Sequence, residues 1–180
     1  MKHLFFAILL VFGTFTLVNA QNCKYKKNGI DKFTNKFTKV TKSEKVIGTF
    51  TTSGAFSAEK IENSYYFIFD YDIIMTYDFE PYSIKQGAEL IFLLENGETI
   101  TLNSDDNIYG TKMKIGTLWN CSLSNVSYQV TSQQLDMFLK FKVKSTRFYR
   151  SESNGKEDYI DNEIKRKNQD DMQNLIKCIL

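Results

Sequence analysis

The segment that decides the fold lies at residues 65–80 and reads YYFIFDYDIIMTYDFE. Every odd position in it is apolar or aromatic. The even positions carry, among others, Asp70, Asp72, Thr76, Asp78 and Glu80. Strict alternation is typical of a β-strand with one buried and one solvated face. Because the pattern is longer than an ordinary strand, it predicts a bulge or bend within the segment, and Pro81 is expected to end it.

Two β-hairpins are predicted downstream from their turn residues. Asn96-Gly97 separates the mostly apolar residues 90–95 from residues 98–102, and Asn154-Gly155 separates two further strand-like segments. Asn-Gly favours a two-residue type I′ turn, which also fixes the pairing of the flanking strands. The expected pairs are Leu93 with Ile100, Ile91 with Leu102, and Tyr149 with Ile160.

Two helices are predicted late in the chain. Thr131 and Gln134 form a capping box, followed by a stripe of Leu135, Phe138 and Leu139. A second helix is expected from about Lys167, since Met172, Leu175, Ile176 and Ile179 recur at helical spacing.

Strands run through most of the remaining chain, including residues 33–47, 50–61 and 117–130. The fold class is therefore α+β and mainly β. We expect an antiparallel sheet or sandwich on which the short helix and the C-terminal helix pack.

Residues 1–20 have the order of a cleavable signal peptide. Lys2 precedes a mostly apolar stretch at residues 4–18, and Val18-Asn19-Ala20 offers small residues at a cleavage site. The apolar stretch is shorter than the ~20 residues that a membrane-spanning helix needs. We therefore expect residues 21–180 to form a single β-rich exported domain, secreted or periplasmic and not membrane-spanning.

Cleavage of the signal would remove His3, the only histidine. The exported domain would then lack Ser-His-Asp and Cys-His catalysis and every metal site built on imidazole. It would keep 22 basic and 21 acidic residues. This balance indicates no nucleic-acid partner, and no cofactor is predicted.

Three cysteines enter an oxidising compartment, so at least one has no partner within the chain. A bridge between Cys23 and Cys178 is preferred because it would tie the terminal helix to the first strand. Pairing of Cys121 with either partner, or no bridge, stays open. If Cys121 is unpaired, we interpret it as a small buried apolar residue.

Several charged residues are candidates for a site, each with a structural alternative. Asp70, Asp72, Asp78 and Glu80 could bind calcium or act as paired carboxylates, but a solvated strand face explains them as well. Asp105 and Asp106 lie in a calcium-like spacing that lacks the glycine and glutamate of an EF-hand. The basic run contains Lys140, Lys142, Lys144, Arg147 and Arg150, and it indicates a protected sheet edge or, second, an anionic partner.

Short motifs in the C-terminal half resemble those of small exported proteins of Bacteroidota. They are Asn96-Gly97-Glu98, Tyr128-x-Val130-Thr131, Gln134-Leu135, the Arg147 strand, Tyr159-Ile160-Asp161 and Leu175-Ile176-Lys177-Cys178. The resemblance implies a bacterial envelope or secreted setting, and it assigns no site residue.

Three functions follow as hypotheses. The first is a noncatalytic exported module that binds a protein, glycan or envelope component through its sheet face or loops. The second is a carboxylate-dependent hydrolase, which requires two converging acidic side chains. The third is an inhibitor or immunity-type protein that blocks a secreted enzyme with a projecting loop at residues 103–110.

Overall fold

The computed structural model describes residues 23–180, and the predicted signal peptide lies outside the described residues. The described chain is mainly β and entirely antiparallel, with two short α-helices. The strands are β1 Tyr25–Ile30, β2 Phe37–Thr41, β3 Glu44–Gly48, β4 Thr52–Ile61, β5 Ser64–Met75, β6 Ser83–Ile84, β7 Glu89–Leu94, β8 Thr99–Asn103, β9 Ile108–Tyr109, β10 Thr111–Ile115, β11 Leu118–Val130, β12 Val143–Ser151 and β13 Glu157–Glu163. The helices are α1 Ser132–Lys140 and α2 Asp171–Ile179, with a 3₁₀ turn at Arg166–Asn168. The predicted fold class is confirmed.

The strands form two sheets. In the first sheet the order is β1-β2-β4-β5-β11-β10, and β3 also pairs with β4. In the second sheet the order is β8-β7-β12-β6-β9, and β13 also pairs with β12. The architecture is therefore a sandwich of two antiparallel sheets.

The core lies between the sheets and is built largely from aromatic rings. Phe56 of β4 lies 5.7 Å from Phe92 of β7, and Phe69 of β5 lies 5.3 Å from Phe148 of β12, measured between ring centroids. Phe138 of α1 packs edge-on against Phe92 at 5.0 Å. All five rings are fully buried, so these contacts hold both sheets and α1 together.

The strand at residues 65–80 differs from its prediction in two ways. β5 runs without interruption from Ser64 to Met75 and ends well before Pro81. The expected bulge lies instead in its partner β11, where the register shifts between Leu123 and Val126. The extra residue in β11 changes which side chains face inward, so Leu123 and Val126 are both buried.

Both hairpins form, but the predicted register is wrong by one residue in each. Leu93 faces Thr99, and Tyr149 faces Tyr159. The loops contain three residues, because the Leu94 N–H donates to the Glu98 carbonyl at 2.9 Å and the Glu152 N–H donates to the Lys156 carbonyl at 2.9 Å.

The three-residue loops follow from backbone angles. A type I′ turn needs positive φ at both central residues, but here only the glycines, Gly97 at 88° and Gly155 at 83°, have it. The asparagine side chains instead accept hydrogen bonds from the backbone. Asn96 accepts from the Glu98 N–H at 3.1 Å, and Asn154 accepts from the Lys156 N–H at 2.7 Å.

The helices begin and pack as predicted, with one shift. The Gln134 N–H donates to the Thr131 hydroxyl, and the Thr131 N–H donates to the Gln134 side chain, which completes the capping box of α1. α2 begins at Asp171 rather than Lys167, after the 3₁₀ turn. Its predicted apolar stripe is buried against the core. Within residues 23–180, neither helix is long and apolar enough to cross a membrane.

The cysteines follow the preferred pairing. Cys23 and Cys178 form a disulfide across 155 positions, which ties the start of β1 to α2. The Tyr25 hydroxyl donates to the Cys178 carbonyl at 2.8 Å and strengthens the same junction. Cys121 is free and buried on the inner side of β11, as an apolar residue would be.

Two further predictions about strands were wrong, and some strands were not predicted. Residues 25–30 form β1 and residues 111–115 form β10, neither of which was predicted, and the predicted strand at residues 33–47 divides into β2 and β3. The basic run is not a sheet edge, because β12 pairs with β7 on one side and with β13 on the other. Arg150 in this run points into the protein and is 9% exposed.

Candidate functional site

The outer face of the second sheet carries a shallow cavity of about 580 Å³, which we call the outer groove. It crosses four adjacent strands, from β8 through β7 and β12 to β13. The side chains that line it include Ile91, Leu93, Thr99, Thr101, Ser145, Arg147, Asp161 and Glu163. The groove is of the size that small-molecule and oligomer ligands occupy.

The floor of the outer groove follows from the hairpin register. On β7, Leu90, Phe92 and Leu94 are fully buried, so Ile91 and Leu93 must point to the opposite face. Leu93 is 38% exposed. The floor is therefore an apolar surface that faces solvent.

An Arg–Asp pair forms one side of the outer groove. Arg147 and Asp161 are directly opposed on β12 and β13. The guanidinium Nε donates to Asp161 Oδ1 at 2.6 Å, and Nη2 donates to Oδ2 at 2.7 Å, which is a bidentate contact. Arg147 lowers the pKa of the Asp161 carboxyl and Asp161 raises the pKa of the guanidinium, so both stay ionised.

Aromatic rings hold this pair in place. The Arg147 guanidinium lies 4.2 Å from the ring centroid of Tyr159, which is 50% exposed. Tyr149 lies 5.9 Å from Tyr159 across the same two strands. Stacking of a guanidinium on a ring limits its rotation, so the polar fork has a fixed orientation.

Helix α1 covers part of the open edge of the second sheet beside the outer groove. β8 is an edge strand, and edge strands invite pairing with another chain. The Gln134 side chain of the capping box donates from Nε2 to the Thr101 carbonyl at 3.0 Å. Because α1 covers part of this edge, the face of the sheet is more accessible to a ligand than the β8 edge is.

A second cavity of about 420 Å³ lies next to the outer groove, between the turn at residues 85–89 and the end of β12. Arg150 lines this second cavity, and its side chain extends into the protein and stacks on Tyr82. The guanidinium carbon lies 3.5 Å from the centroid of the Tyr82 ring. Its Nη2 donates to Asp158 at 3.2 Å. Its Nε and Nη1 are buried and have no hydrogen-bond partner among the described residues. Because these atoms are shielded, we assign Arg150 to the packing of the sandwich.

Asp70 and Asp72 serve the strand pairing of the first sheet. Asp70 accepts the N–H of Asn125, a residue with φ of 58° at the β11 bulge, at 2.8 Å. Asp72 accepts from the Ser122 hydroxyl and from the Asn120 amide. Both carboxylates therefore satisfy donors of the neighbouring strand, one of them at a strained backbone position.

Asp78 and Glu80 lie beyond the end of β5 and not on a strand face. Asp78 forms an ion pair with Lys112 at 2.7 Å, which lowers the pKa of its carboxyl. The Lys112 ammonium also donates to the Phe79 carbonyl and lies 4.9 Å from the Trp119 ring centroid. Glu80 is exposed. The four acidic candidates thus do not form one cluster: Asp70 and Asp72 share the outer face of β5, whereas Asp78 and Glu80 lie beyond its end.

Asp105 and Asp106 lie in a segment that is tied to the body of the protein. The Asp105 carboxylate accepts a hydrogen bond from the Ser127 hydroxyl at 2.8 Å, and the backbone N–H of Asp105 donates to the Ser127 carbonyl. Ser104 is buried and forms a bridge with Tyr128. Asp106 is exposed. Residues 103–110 therefore do not form a free projecting loop.

The first sheet has its own outer cavity, of about 480 Å³, which includes Lys26, Glu59, Ile68, Asp70 and Asn125. Burial raises the pKa of Glu59 despite the nearby lysines. Glu59 faces Tyr66 and Asp70 faces Ala55, so the two acids lie four residues apart along the strands. That spacing separates their backbones by roughly 13 Å.

No group of three or more His, Cys, Asp and Glu side chains within residues 23–180 could hold a metal ion. Comparison of the chain with family models, curated proteins and solved structures finds no match. The resemblance to exported proteins of Bacteroidota therefore stays a prediction.

The outer groove was not predicted from the sequence. Its side chains come from four strands and meet only in the true register, in which Thr99 and Thr101 oppose Leu93 and Ile91. One signal was present: Thr99 and Thr101 alternate with buried Ile100 and Leu102, which marks a polar outer face of β8.

Proposed function

We propose that the protein is an exported, noncatalytic binding module of the bacterial envelope or cell exterior, and that the outer groove is its binding surface. The observation that carries the proposal is the combination of a solvent-facing apolar floor with a fixed Arg147–Asp161 fork on one sheet face. Binding sites typically combine such apolar surface with a few placed polar groups.

The proposed location in the envelope or outside the cell has support of its own. A disulfide is compatible with an oxidising compartment. The signal-like order of residues 1–20 and the resemblance to exported Bacteroidota proteins point the same way. No observation supports the inhibitor hypothesis, because the segment at residues 103–110 is held to β11 and β6.

Asp70 and Asp72 lie two residues apart on one face of β5, but each accepts a hydrogen bond from the neighbouring strand, which counts against the hydrolase hypothesis. Asp78 is paired with Lys112. The half-buried Glu59 is distant from Asp70 along the strands. Recognition without turnover is therefore the function that the arrangement favours.

The proposal is tested by sedimentation with envelope fragments of Bacteroidota cells. Leu93→Glu places a charge on the exposed apolar floor without entering the core, and we expect at least a tenfold loss of binding, or about 1.4 kcal/mol. Met113→Glu is the matched control, since Met113 is 62% exposed on the first sheet. Circular dichroism verifies that both variants fold.

Equal binding by the wild type and Leu93→Glu would overturn the assignment of the surface. Absence of wild-type sedimentation with any envelope fraction would overturn the binding function itself.

A further inference from the structure

The outer groove also indicates the chemical class of its ligand. We infer that it binds a neutral glycan, that is, an uncharged oligosaccharide or polysaccharide segment. This inference rests on the proposed function and adds to it the nature of the ligand.

The charge of the outer groove disfavours charged polymers. Arg147 is neutralised in place by Asp161, and the remaining charged residue of the lining is Glu163. A nucleic acid or an acidic polymer requires uncompensated basic side chains, which this lining does not provide. A ligand without net charge meets no electrostatic penalty here.

The polar groups match the hydrogen bonding of sugar hydroxyls. Thr99, Thr101 and Ser145 carry hydroxyls, which donate and accept as sugar hydroxyls do. Arg147 uses two of its five N–H donors on Asp161, and Asp161 uses two of its acceptor positions. The fork therefore presents unused donors and acceptors side by side, an arrangement that fits two adjacent hydroxyls of one sugar ring.

The apolar groups match the C–H faces of sugar rings. Ile91 and Leu93 alternate with buried residues along β7, so their side chains form a continuous strip on the floor. Tyr159 adds a half-exposed ring beside the fork. Apolar contact of this kind, flanked by polar groups that fix orientation, gives affinity and selectivity together.

A peptide ligand fits the outer groove less well. Extended peptides gain affinity by pairing their backbone with the edge of a sheet. The outer groove lies on a sheet face, where the N–H and C=O groups of β7 and β12 already pair with neighbouring strands. The Thr101 carbonyl on the nearby edge is occupied by Gln134.

The test is a titration of ¹⁵N-labelled protein with three neutral hexasaccharides, cellohexaose, xylohexaose and maltohexaose, followed by NMR. We expect at least one of them to shift the amide signals of Leu93, Ser145 and Arg147 at micromolar to millimolar concentrations. Thr101→Val keeps the side-chain shape and removes the hydroxyl, so it should weaken that binding at least threefold. Thr111→Val, an exposed strand residue of the first sheet, is the matched control and should leave it unchanged.

The outcomes separate the two proposals. If envelope fragments bind through Leu93 but no hexasaccharide shifts these signals, the glycan assignment is overturned and the binding function stands. Shifts caused instead by heparin or by a pool of extended peptides also overturn it. If neither fragments nor saccharides bind, the proposed function fails with it.

Discussion

The two outer faces of the sandwich differ in whether a central charged side chain has a fixed counter-ion. On the second sheet, Arg147 and Asp161 satisfy each other in a bidentate pair on the solvent side. On the first sheet, Glu59 is half-buried, and no salt bridge within residues 23–180 reaches it. Partial burial of a carboxylate without a fixed counter-ion costs stability. The second face therefore holds its central charges in a mutually satisfied pair, whereas the first retains an electrostatic cost.

The largest expected effect concerns the disulfide that ties the first sheet to α2. Replacement of Cys23 and Cys178 by serine removes the bridge across 155 positions. On the chain-entropy model, this costs about 5 kcal/mol of stability. Because the bridge acts on the unfolded chain, we expect hydrogen exchange by global unfolding to accelerate in both sheets, and β1 and α2 to exchange faster still through local opening. Unchanged exchange in β12 and β13 would contradict the chain-entropy explanation.

The next effect concerns the hairpin that supplies the floor of the outer groove. Gly97 has φ of 88°, and a Cβ there would meet no atom within 4 Å. Gly97→Ala should therefore cost about 1–2 kcal/mol through the backbone alone. Gly97→Asn should cost less, because asparagine adopts this conformation more readily. Urea unfolding should show a lower midpoint with an unchanged slope, and alanine and asparagine variants of equal stability would contradict this reason.

A smaller effect on stability is expected from the half-buried Glu59 carboxylate on the first face. Burial raises the pKa of Glu59, while Lys26 and Lys27 act against the rise. The folded protein therefore loses stability as the pH increases from the unfolded pKa through the folded one. Glu59→Gln should stabilise the protein at pH 7 by less than about 1 kcal/mol, since the exposed half of the side chain is screened. The gain should vanish below pH ~4. A variant that is less stable at pH 7 would mean that the carboxylate has a favourable partner.

The smallest effect on stability concerns the fork of the second face. Arg147 holds the pKa of Asp161 below its ordinary value, so any stability from this pair is present at neutral pH and is lost as pH falls through the folded pKa. Arg147→Lys cannot make the bidentate contact. We expect NMR titration of the Asp161 carboxyl to show its pKa rising towards the ordinary value, with little change in thermal stability because both groups are exposed. An unchanged titration would show that a point charge suffices.

Local patterns were enough to predict most elements of the fold. Alternation identified the core strand β5, and the Thr131–Gln134 pair identified the start of α1. The apolar stripe of α2 was correct even though its start was not. These signals act over a few residues, so the sequence displays them directly.

Register and strand order were beyond local patterns. Both asparagine-glycine turns carry one more loop residue than predicted, and at Asn96-Gly97 this reverses the faces of Ile91 and Leu93. The β11 bulge at Asn125 depends on Asp70, 55 positions away. The outer groove needs both hairpins in their true register, so its residues could not be collected from the sequence. The acidic candidates were noticed in the sequence because they lie close together in the chain. In the structure they accept hydrogen bonds from different partners.

If the protein is exported as proposed, the bridge between Cys23 and Cys178 also constrains the order of events during delivery. Residue 23 would then reach an oxidising compartment long before residue 178, because an exported chain is delivered from its N-terminus. The Cys23 thiol would therefore stay unpaired until nearly all of both sheets has been delivered. During that time Cys121 is available as a non-native partner, until β11 forms and buries it. We expect an oxidoreductase-free export system to accumulate the Cys23–Cys121 isomer. Closure of the native bridge would then report that delivery of the chain through residue 178 is complete.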